Sequence, residues 1–211
     1  NGEDALTAKY VIPNFRNTYI STAFQYETDE LDNFARGVEI SRPFYSPFTK
    51  WAGGLNIVKL NRRDSLELND TVNVAKGIEA VTQDYWAGHA IQIFKGNSED
   101  ARTTNFIYTI RYANIRYQKK PPVSLDPLRD YVNQNIYMAS VGISTRKYVR
   151  DKYIFKFGVT EDVPIGKVFR LTGGYREQLN SGQLYLGSRI ALGNYYTWGY
   201  FGTNLEYGTF F

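Results

Sequence analysis

The chain has 211 residues and a net charge of +4, and its Lys and Arg residues are scattered rather than clustered in the basic patch that nucleic-acid binding requires. Charged residues make up 22% and the mean hydropathy is −0.43, so no run approaches the ~20 apolar residues of a transmembrane helix. Cysteine is absent, which excludes disulfides and thiolate chemistry. The length predicts a single domain over 1–211, or one piece of a larger domain. Only closed β-structure can span a bilayer with such a sequence, because its strands satisfy one another's backbone groups.

Period-two alternation of apolar and polar residues recurs along the chain and predicts β-strands. In the first half, an acidic turn at 28–32, a proline-bounded connection at 43–47 and a polar loop at 62–70 separate these strands. The spacing in 72–82 fits neither helical nor strand periodicity. The predicted strands of this half are 5–12, 17–27, 34–42, 51–60 and 84–94.

The second half continues the pattern, with a polar turn at 96–102 and a proline-rich loop at 119–127. Residues 153–175 are the clearest unit, a long hairpin that is expected to turn at 162–166. The remaining predicted strands are 106–113, 137–144, 184–192 and 201–207. No segment has a helical stripe. The sequence therefore predicts an all-β fold of roughly ten to twelve antiparallel strands.

The two faces of the predicted strands differ in composition. In the 153–175 hairpin, Phe155, Phe169 and Leu171 fall on one face, while Lys, Arg, Thr and Gly fall on the other. A soluble sandwich or lipocalin-like barrel buries its apolar faces in a core. A transmembrane barrel turns them to lipid and directs its polar faces into a lumen.

Three features favour the transmembrane barrel. Many predicted strands have ten residues or more, near the ~9–11 that a tilted spanning strand needs. The polar faces carry Gly and small residues with occasional Arg or Lys, as in a lumen wall. Aromatic residues recur near strand ends, where membrane–water interfaces would lie. They are Tyr19, Tyr26, Trp51, Tyr85, Trp86, Tyr117, Tyr153, Tyr175, Tyr196 and Trp198. We therefore expect an antiparallel up-and-down transmembrane β-barrel, complete or an incomplete piece of a larger one.

Four short segments carry a family resemblance. They are RTTNF at 102–106, RKYVRDKYIF at 146–155, TEDVPIG at 160–166 and LEYGTFF at 205–211. Over most of 17–211 the chain resembles the barrel region of Bacteroidetes outer-membrane proteins related to the Omp85 (surface antigen) superfamily. The resemblance implies location in the bacterial outer membrane and a role in outer-membrane protein assembly or translocation. It also implies contact with outer-membrane lipid, and envelope proteins or unfolded barrel clients as partners.

The chain departs from that superfamily in two respects. It has neither the Arg-Gly-Phe/Tyr loop motif that reaches into the lumen nor the periplasmic repeat domains that precede the barrel. We therefore expect a fragment of a larger protein or a divergent relative. Phe211 resembles the terminal aromatic by which outer-membrane barrels are recognised, whereas the family resemblance implies a barrel that continues beyond it. A porin-like or structural barrel, and a soluble β-sheet binding protein of the periplasm or cell surface, stay open as alternatives.

Residues that could carry chemistry are few. His89 is the only histidine, and Ser188 lacks the surroundings of a nucleophile elbow. The glycine pairs 53–54 and 173–174 lie within predicted strands, not before helices, so they do not predict a phosphate cradle. The candidate Ca²⁺ ligands are Asp29, Glu30 and Asp32, for which we favour a solvated acidic turn. The sequence thus predicts no enzyme, no catalytic residue, no cofactor and no metal.

Five basic residues share the polar faces of predicted strands and would point into a barrel lumen. They are Arg111, Lys156, Arg170, Arg176 and Arg189. One interpretation is a cationic lumen wall that favours anions or steers a client strand. The other, which we favour, is a structural network in which these residues pair with Glu27, Glu39 and Glu206.

Overall fold

The computed structural model of the chain describes residues 5–31, 33–63, 65–68, 71–74, 77–123, 126, 129–152, 158–179 and 181–211. The strands within these ranges are β1 (Leu6–Ile12), β2 (Ser21–Thr28), β3 (Phe34–Arg42), β4 (Trp51–Arg62), β5 (Ser65–Leu68), β6 (Thr71–Val74), β7 (Ile78–Gln92), β8 (Thr104–Lys119), β9 (Gln134–Lys152), β10 (Thr160–Gln178), β11 (Ser181–Tyr196) and β12 (Gly199–Phe210). A short helix, α1 (Glu99–Thr103), precedes β8, and a 3-10 turn (Phe15–Asn17) precedes β2. Among the described residues, no helix has the length and apolar character needed to cross a membrane.

Ten strands form one antiparallel sheet in the order β1-β2-β3-β4-β7-β8-β9-β10-β11-β12. Each strand pairs with the sheet strand that precedes it in sequence, while β5 and β6 form a separate hairpin between β4 and β7. The predicted all-β, up-and-down architecture is confirmed. Within the described ranges, β1 and β12 are the two edges and do not pair with each other, so the sheet is not closed.

The predicted turn at 162–166 is wrong. These residues lie inside β10 and pair with β9 throughout. Pro164 and Gly166 do disturb the strand, because proline has no N–H for the ladder and Gly166 has a φ of 137°. The β9–β10 pairing continues on both sides of Pro164 and Gly166, so the chain does not reverse direction there. Most of the first predicted strand of this hairpin, at 153–157, lies outside the described residues.

Two segments predicted as irregular contain short regular elements. The predicted loop 62–70 includes β5, which pairs with β6. The predicted turn 96–102 includes the start of α1, which is capped by Ser98, whose hydroxyl accepts a hydrogen bond from the Ala101 N–H (3.2 Å). Both elements are too short for a repeat of apolar residues to reveal them.

The uninterpretable spacing of 72–82 has a local cause. β6 ends at Val74 and β7 begins at Ile78, so the segment contains parts of two different strands. No single periodicity can therefore run through it.

The side chains of the sheet are divided by face. On β9, Tyr137, Ala139, Val141 and Ile143 are exposed, and the residues that alternate with them from 138 to 142 are half-buried. The direct partners of Ile143 on the adjacent strands, Phe106 and Phe169, are exposed as well. We call this apolar side the convex face. The opposite side, which carries Ser, Thr, Gly and charged residues, is the concave face, because side chains from β3 to β11 line one cavity on it.

The buried hydrophobic core is small. The buried hydrophobic residues of the described chain are Ala52, Ile78, Ala80, Ala90, Val132 and Val163. By contrast, Leu171, Leu184 and Leu205 on the convex face are 60%, 62% and 65% exposed. A water-soluble domain of this length ordinarily buries most of its large apolar side chains. The convex face therefore lacks an apolar partner within the described chain.

Gly166→Ala is expected to destabilise the sheet by about 1–3 kcal/mol, the usual cost of a strained backbone conformation. An added Cβ would lie 1.9 Å from the Thr145 carbonyl oxygen, so the β9–β10 ladder would have to open. Gly173→Ala on the same strand is the matched control, because its Cβ would enter open space. Urea denaturation, followed by circular dichroism, measures the difference. Equal midpoints for the two variants would contradict this explanation.

Candidate functional site

The concave face holds a cavity of about 720 Å³. Its wall is built by β3, β4 and β7 to β11, and residues 43–44 of the β3–β4 connection complete it. The charged side chains of the lining are Glu39, Asp84, Arg111, Arg146, Arg170 and Arg189. Four arginines thus face two carboxylates, which makes the cavity attractive to anions.

The strand register brings two arginines directly opposite each other. Arg170 on β10 faces Arg189 on β11, which in turn faces Glu206 on β12. The Glu206 Oε1 atom lies 3.0 Å from Arg189 Nε and 3.9 Å from Arg170 Nη2. Like charges directly opposite in a sheet repel each other. One carboxylate therefore has to neutralise two guanidinium groups. The three side chains together keep a net positive charge.

Two further predicted basic residues lie on the concave face. Arg111 Nε donates a hydrogen bond to Asp84 Oδ1 (2.8 Å) on the neighbouring β7. Arg176 Nε donates to Gln183 Oε1 (3.1 Å), and its guanidinium carbon lies 4.1 Å from the centroid of the Phe210 ring. Arg111 is thus neutralised by a carboxylate, whereas Arg176 is held by a neutral amide and an aromatic ring.

Three of the five predicted basic residues, Arg111, Arg170 and Arg189, line the same cavity. The strand pairing places Arg111, Arg170, Arg176 and Arg189 on the concave face. Lys156 lies outside the described residues. Since the sheet is not closed, their orientation toward a lumen stays a prediction.

The partners of these arginines differ in part from the predicted network. Glu206 pairs with two of them, as the sequence indicates, but Arg111 takes Asp84. Among the ion pairs of the described residues, none involves Glu27 or Glu39. The β7–β8 register explains why Arg111 pairs with Asp84. Trp86 is the direct partner of Arg111, and Asp84 lies two residues from Trp86 on β7.

The β3–β4 connection folds onto the concave face, and we call its residues 43–50 the inner segment. The Phe44 carbonyl oxygen accepts a hydrogen bond from Arg146 Nη1 on β9 (3.2 Å). The Pro47 carbonyl oxygen accepts one from Asn105 Nδ2 on β8 (2.8 Å). These contacts join the inner segment to strands on the far side of β7.

A glycine makes room for the Phe44 ring. A Cβ at Gly88 on β7 would lie 3.1 Å from Phe44 Cζ and 2.8 Å from Thr109 Cγ2. Any larger side chain at this position would push the ring further into the cavity. Phe44 therefore lies against the wall and lines the same cavity as Arg146 and Arg170.

Sequence reasoning missed both Arg146 and Phe44 as site residues. Arg146 continues the alternation of the concave residues Gly142 and Ser144, but it lies beyond the predicted strand 137–144. Extending that strand by two residues would have found it. The sequence does not distinguish a connection that folds onto the concave face from one that folds away from it. Phe44 could therefore not be found from the sequence.

One aromatic group on the convex face contains the single histidine. The His89 ring lies between Trp51 and Tyr108, with ring centroids 4.0 Å and 5.5 Å away. Its Nδ1 atom is buried, and no hydrogen-bond partner is found for it among the described residues. His89 faces away from the arginine-lined cavity, and its surroundings are those of a packed side chain.

A row of tyrosines crosses four strands of the convex face. The directly opposed residues are Tyr85, Tyr112, Tyr137 and Tyr175 on β7 to β10. The next convex row toward the strand ends is polar and consists of Gln83, Asn114, Asn135 and Glu177. The Tyr112 hydroxyl donates to Asn135 Oδ1 (3.2 Å) in that polar row. The tyrosine rings thus lie at the boundary between an apolar band and a polar rim.

Aromatic residues also lie at the opposite end of the sheet. Tyr196 and Trp198 stack with their ring centroids 5.3 Å apart, and Phe201 lies 6.1 Å from Trp198. Of the aromatics predicted at the strand ends, Trp86 is wrongly placed as a boundary residue, because it faces Arg111 and lines the concave cavity.

The acidic turn after β2 is stabilised internally by Asp29. Its Oδ1 accepts from the backbone N–H groups of Leu31 (2.9 Å) and Asn33 (3.0 Å), and its Oδ2 accepts from Asn33 Nδ2 (2.7 Å). These hydrogen bonds, the Asn33 side chain foremost, lower the pKa of Asp29. Asp32, a candidate ligand, lies outside the described residues, and within them no group of three or more His, Cys, Asp or Glu side chains could hold a metal ion.

No protein-family model, curated protein or solved structure matches the chain.

Glu206→Gln is expected to lower the stability of the sheet by up to about 1 kcal/mol, the range of exposed ion pairs. It leaves Arg170 and Arg189 opposed without their shared counter-charge. The loss should shrink in ~1 M salt, where the Debye length falls to about 3 Å. The double variant Arg170→Gln/Glu206→Gln should recover part of the stability. Urea midpoints at low and high salt test this, and a salt-independent loss would contradict the electrostatic cause.

Asn33→Ala is expected to raise the pKa of Asp29 toward its ordinary value, since it removes the main cause of the lowering. Because the folded-state pKa is depressed, the stability that Asp29 contributes is present above its unfolded-state pKa and is lost as pH falls through the folded-state value. A carboxyl ¹³C NMR titration measures the shift. Glu30→Ala is the control, because it removes a neighbouring charge and leaves the Asp29 hydrogen bonds in place. An unchanged Asp29 titration in Asn33→Ala would refute the assignment.

Proposed function

We propose that this chain forms an outer-membrane β-barrel, or most of the wall of one, with its convex face in lipid and its concave face on a lumen. The observation that carries the proposal is the distribution of side chains, with large apolar residues exposed on the convex face and charged residues around the concave cavity. A soluble sheet would hide such an apolar face in a core. A bilayer covers it without any further protein.

The height of the apolar band supports the proposal. On the convex face of β10, the apolar and aromatic positions from Phe169 to Tyr175 are flanked by Lys167 and Glu177. The two flanking residues are ten positions apart, or roughly 33 Å along a strand. At the 35–45° tilt of barrel strands these charged limits are about 25 Å apart in height, so the apolar band between them fits within the usual thickness of a lipid-facing band.

The aromatic groups at both ends of the band give independent support. Tyr and Trp prefer the membrane–water interface, where the ring meets apolar chains and the polar atom meets water. The tyrosine row next to a polar row at one end, and Tyr196 with Trp198 at the other, have the positions of two interfacial girdles.

Within this class, the family resemblance favours an Omp85-related barrel that acts in outer-membrane protein assembly or translocation. A porin-like barrel is the second candidate, and the arginine-rich cavity is the observation that favours it. The third candidate, a soluble β-sheet binding protein of the periplasm or cell surface, would need another protein or ligand to cover the convex face.

The three tryptophans of the chain provide the test. Trp51 and Trp198 are 63% and 69% exposed, and Trp51 lies on the convex face, whereas Trp86 lines the concave cavity. Three variants that each keep one tryptophan, with the others replaced by Phe, are reconstituted into vesicles containing brominated phospholipid. We expect strong quenching of Trp51 and Trp198 fluorescence and weak quenching of Trp86, because bromine quenches only on close approach.

The positions of the bromine atoms and the behaviour in water complete the test. Quenching of Trp51 and Trp198 should be stronger with bromines near the headgroups than with bromines near the chain ends, since both residues lie near strand ends. A protein that is monodisperse in buffer without detergent, and whose tryptophans are not quenched, would overturn the membrane proposal.

A further inference from the structure

We propose that the inner segment, together with Arg146 and Arg170, forms a constriction that selects small carboxylate- or phosphate-bearing solutes. The inference rests on the proposed membrane function and assigns a solute class to the concave face. It combines two features, an excess of positive charge and a segment folded across the wall, which lie in the same cavity.

The excess charge of the cavity is concentrated at two of its four arginines. Arg111 is paired with Asp84, and Arg189 is 3.0 Å from Glu206. Arg170 is 3.9 Å from that same carboxylate, and its side chain is 44% exposed. Arg146 donates to a backbone carbonyl oxygen and forms no ion pair with a carboxylate of the described chain. Arg146 thus has no carboxylate partner among the described residues, and Arg170 only shares one, so both can attract a further anion.

The strand wall between these two arginines carries only small residues. Arg170 faces Gly142 on β9, and Arg146 lies four residues further along the same face of that strand. The concave residues between them are Gly142 and Ser144, which fill little volume. Gly142 must stay small, because a Cβ there would lie 2.4 Å from the Phe169 carbonyl oxygen. Both guanidinium groups line one cavity, and each has the planar fork of donors that suits a multidentate oxyanion such as a carboxylate or phosphate.

The inner segment limits the size of what can pass. Phe44 lines the cavity, and hydrogen bonds to Arg146 and Asn105 hold its segment on the wall. A volume of about 720 Å³ accommodates a small organic molecule. Since Arg146 carries both the charge and the bond that fastens Phe44, charge selection and narrowing occur at one place.

The same geometry argues against an unfolded strand as the occupant of this cavity, whereas the sheet edges at β1 and β12 are a separate surface. A client strand is recognised by unpaired backbone groups at a sheet edge. Arg146 and Arg170 lie on β9 and β10, which are paired on both sides by their neighbours in the sheet. These strands therefore offer a ligand only guanidinium N–H donors, which bind negatively charged groups rather than the backbone of a client strand.

Planar lipid bilayers with a KCl gradient measure the selectivity. We expect a reversal potential that indicates preference for chloride, and a chloride current that inorganic phosphate or citrate reduces. Arg146→Gln/Arg170→Gln should lower the ratio of chloride to potassium permeability several-fold and weaken the block. Phe44→Ala should raise the single-channel conductance. Arg116→Gln, on the polar rim of the opposite face, removes a similar charge and should change neither quantity.

A charge-preserving variant distinguishes the loss of positive charge from misfolding of the protein. Arg146→Lys/Arg170→Lys should keep the preference for chloride but weaken the block by phosphate, because an ammonium group cannot bind an oxyanion through two parallel hydrogen bonds. If the tryptophans are quenched by brominated lipid but parent and Gln variants share one reversal potential, or no current flows, this inference is wrong and the membrane proposal stands. If the tryptophans are not quenched, the membrane proposal itself fails.

Discussion

Hydrogen bonding between neighbouring strands is the constraint on which this structure depends. In the main sheet, each of the strands from β2 to β11 has a partner on both sides, and the β9–β10 ladder alone runs from Gln134 to Lys152. In these inner strands the backbone groups are therefore paired with neighbouring strands and need no side chain or water. This leaves both faces free to adapt to different surroundings, and it explains why a chain of this length holds together with so few buried hydrophobic residues.

Local packing of tyrosine against glycine takes over part of the role of a core. A Cβ at Gly187 would lie 2.6 Å from the Tyr185 hydroxyl, so the ring covers a position that has no side chain. Tyr200 behaves similarly over Gly193, and its hydroxyl donates to the Pro164 carbonyl oxygen (2.9 Å). Aromatic rings that cover glycines in a sheet exclude water from the backbone and fix the register. Such contacts stay within two or three strands and need no second layer of structure.

Sequence alternation predicted the strands and their faces well wherever the strand was regular. Arg170 and Arg189 were placed on the polar face because alternation depends only on near neighbours along the chain. The turn at 162–166 was misplaced because proline and glycine report a local irregularity, and they do not report whether the pairing continues beyond it. Trp86 was misjudged because a position near a strand end does not define a face.

The pairing of Arg111 with Asp84 depends on register, and the inward path of Phe44 depends on contacts with distant strands, so neither could be found from local pattern.

The register of the sheet has a consequence for its shape as a whole. One row of directly opposed residues begins at Val38 and Ile57, which are apolar, and continues through Gln83, Asn114 and Asn135, which are polar. A row that stayed level with a bilayer would keep one character from strand to strand. The apolar band therefore climbs relative to the hydrogen-bonded rows, which is the stagger that a sheet needs in order to curl with tilted strands. Because this stagger accumulates from strand to strand, β1 and β12 could pair with each other only if they met displaced along the strand direction.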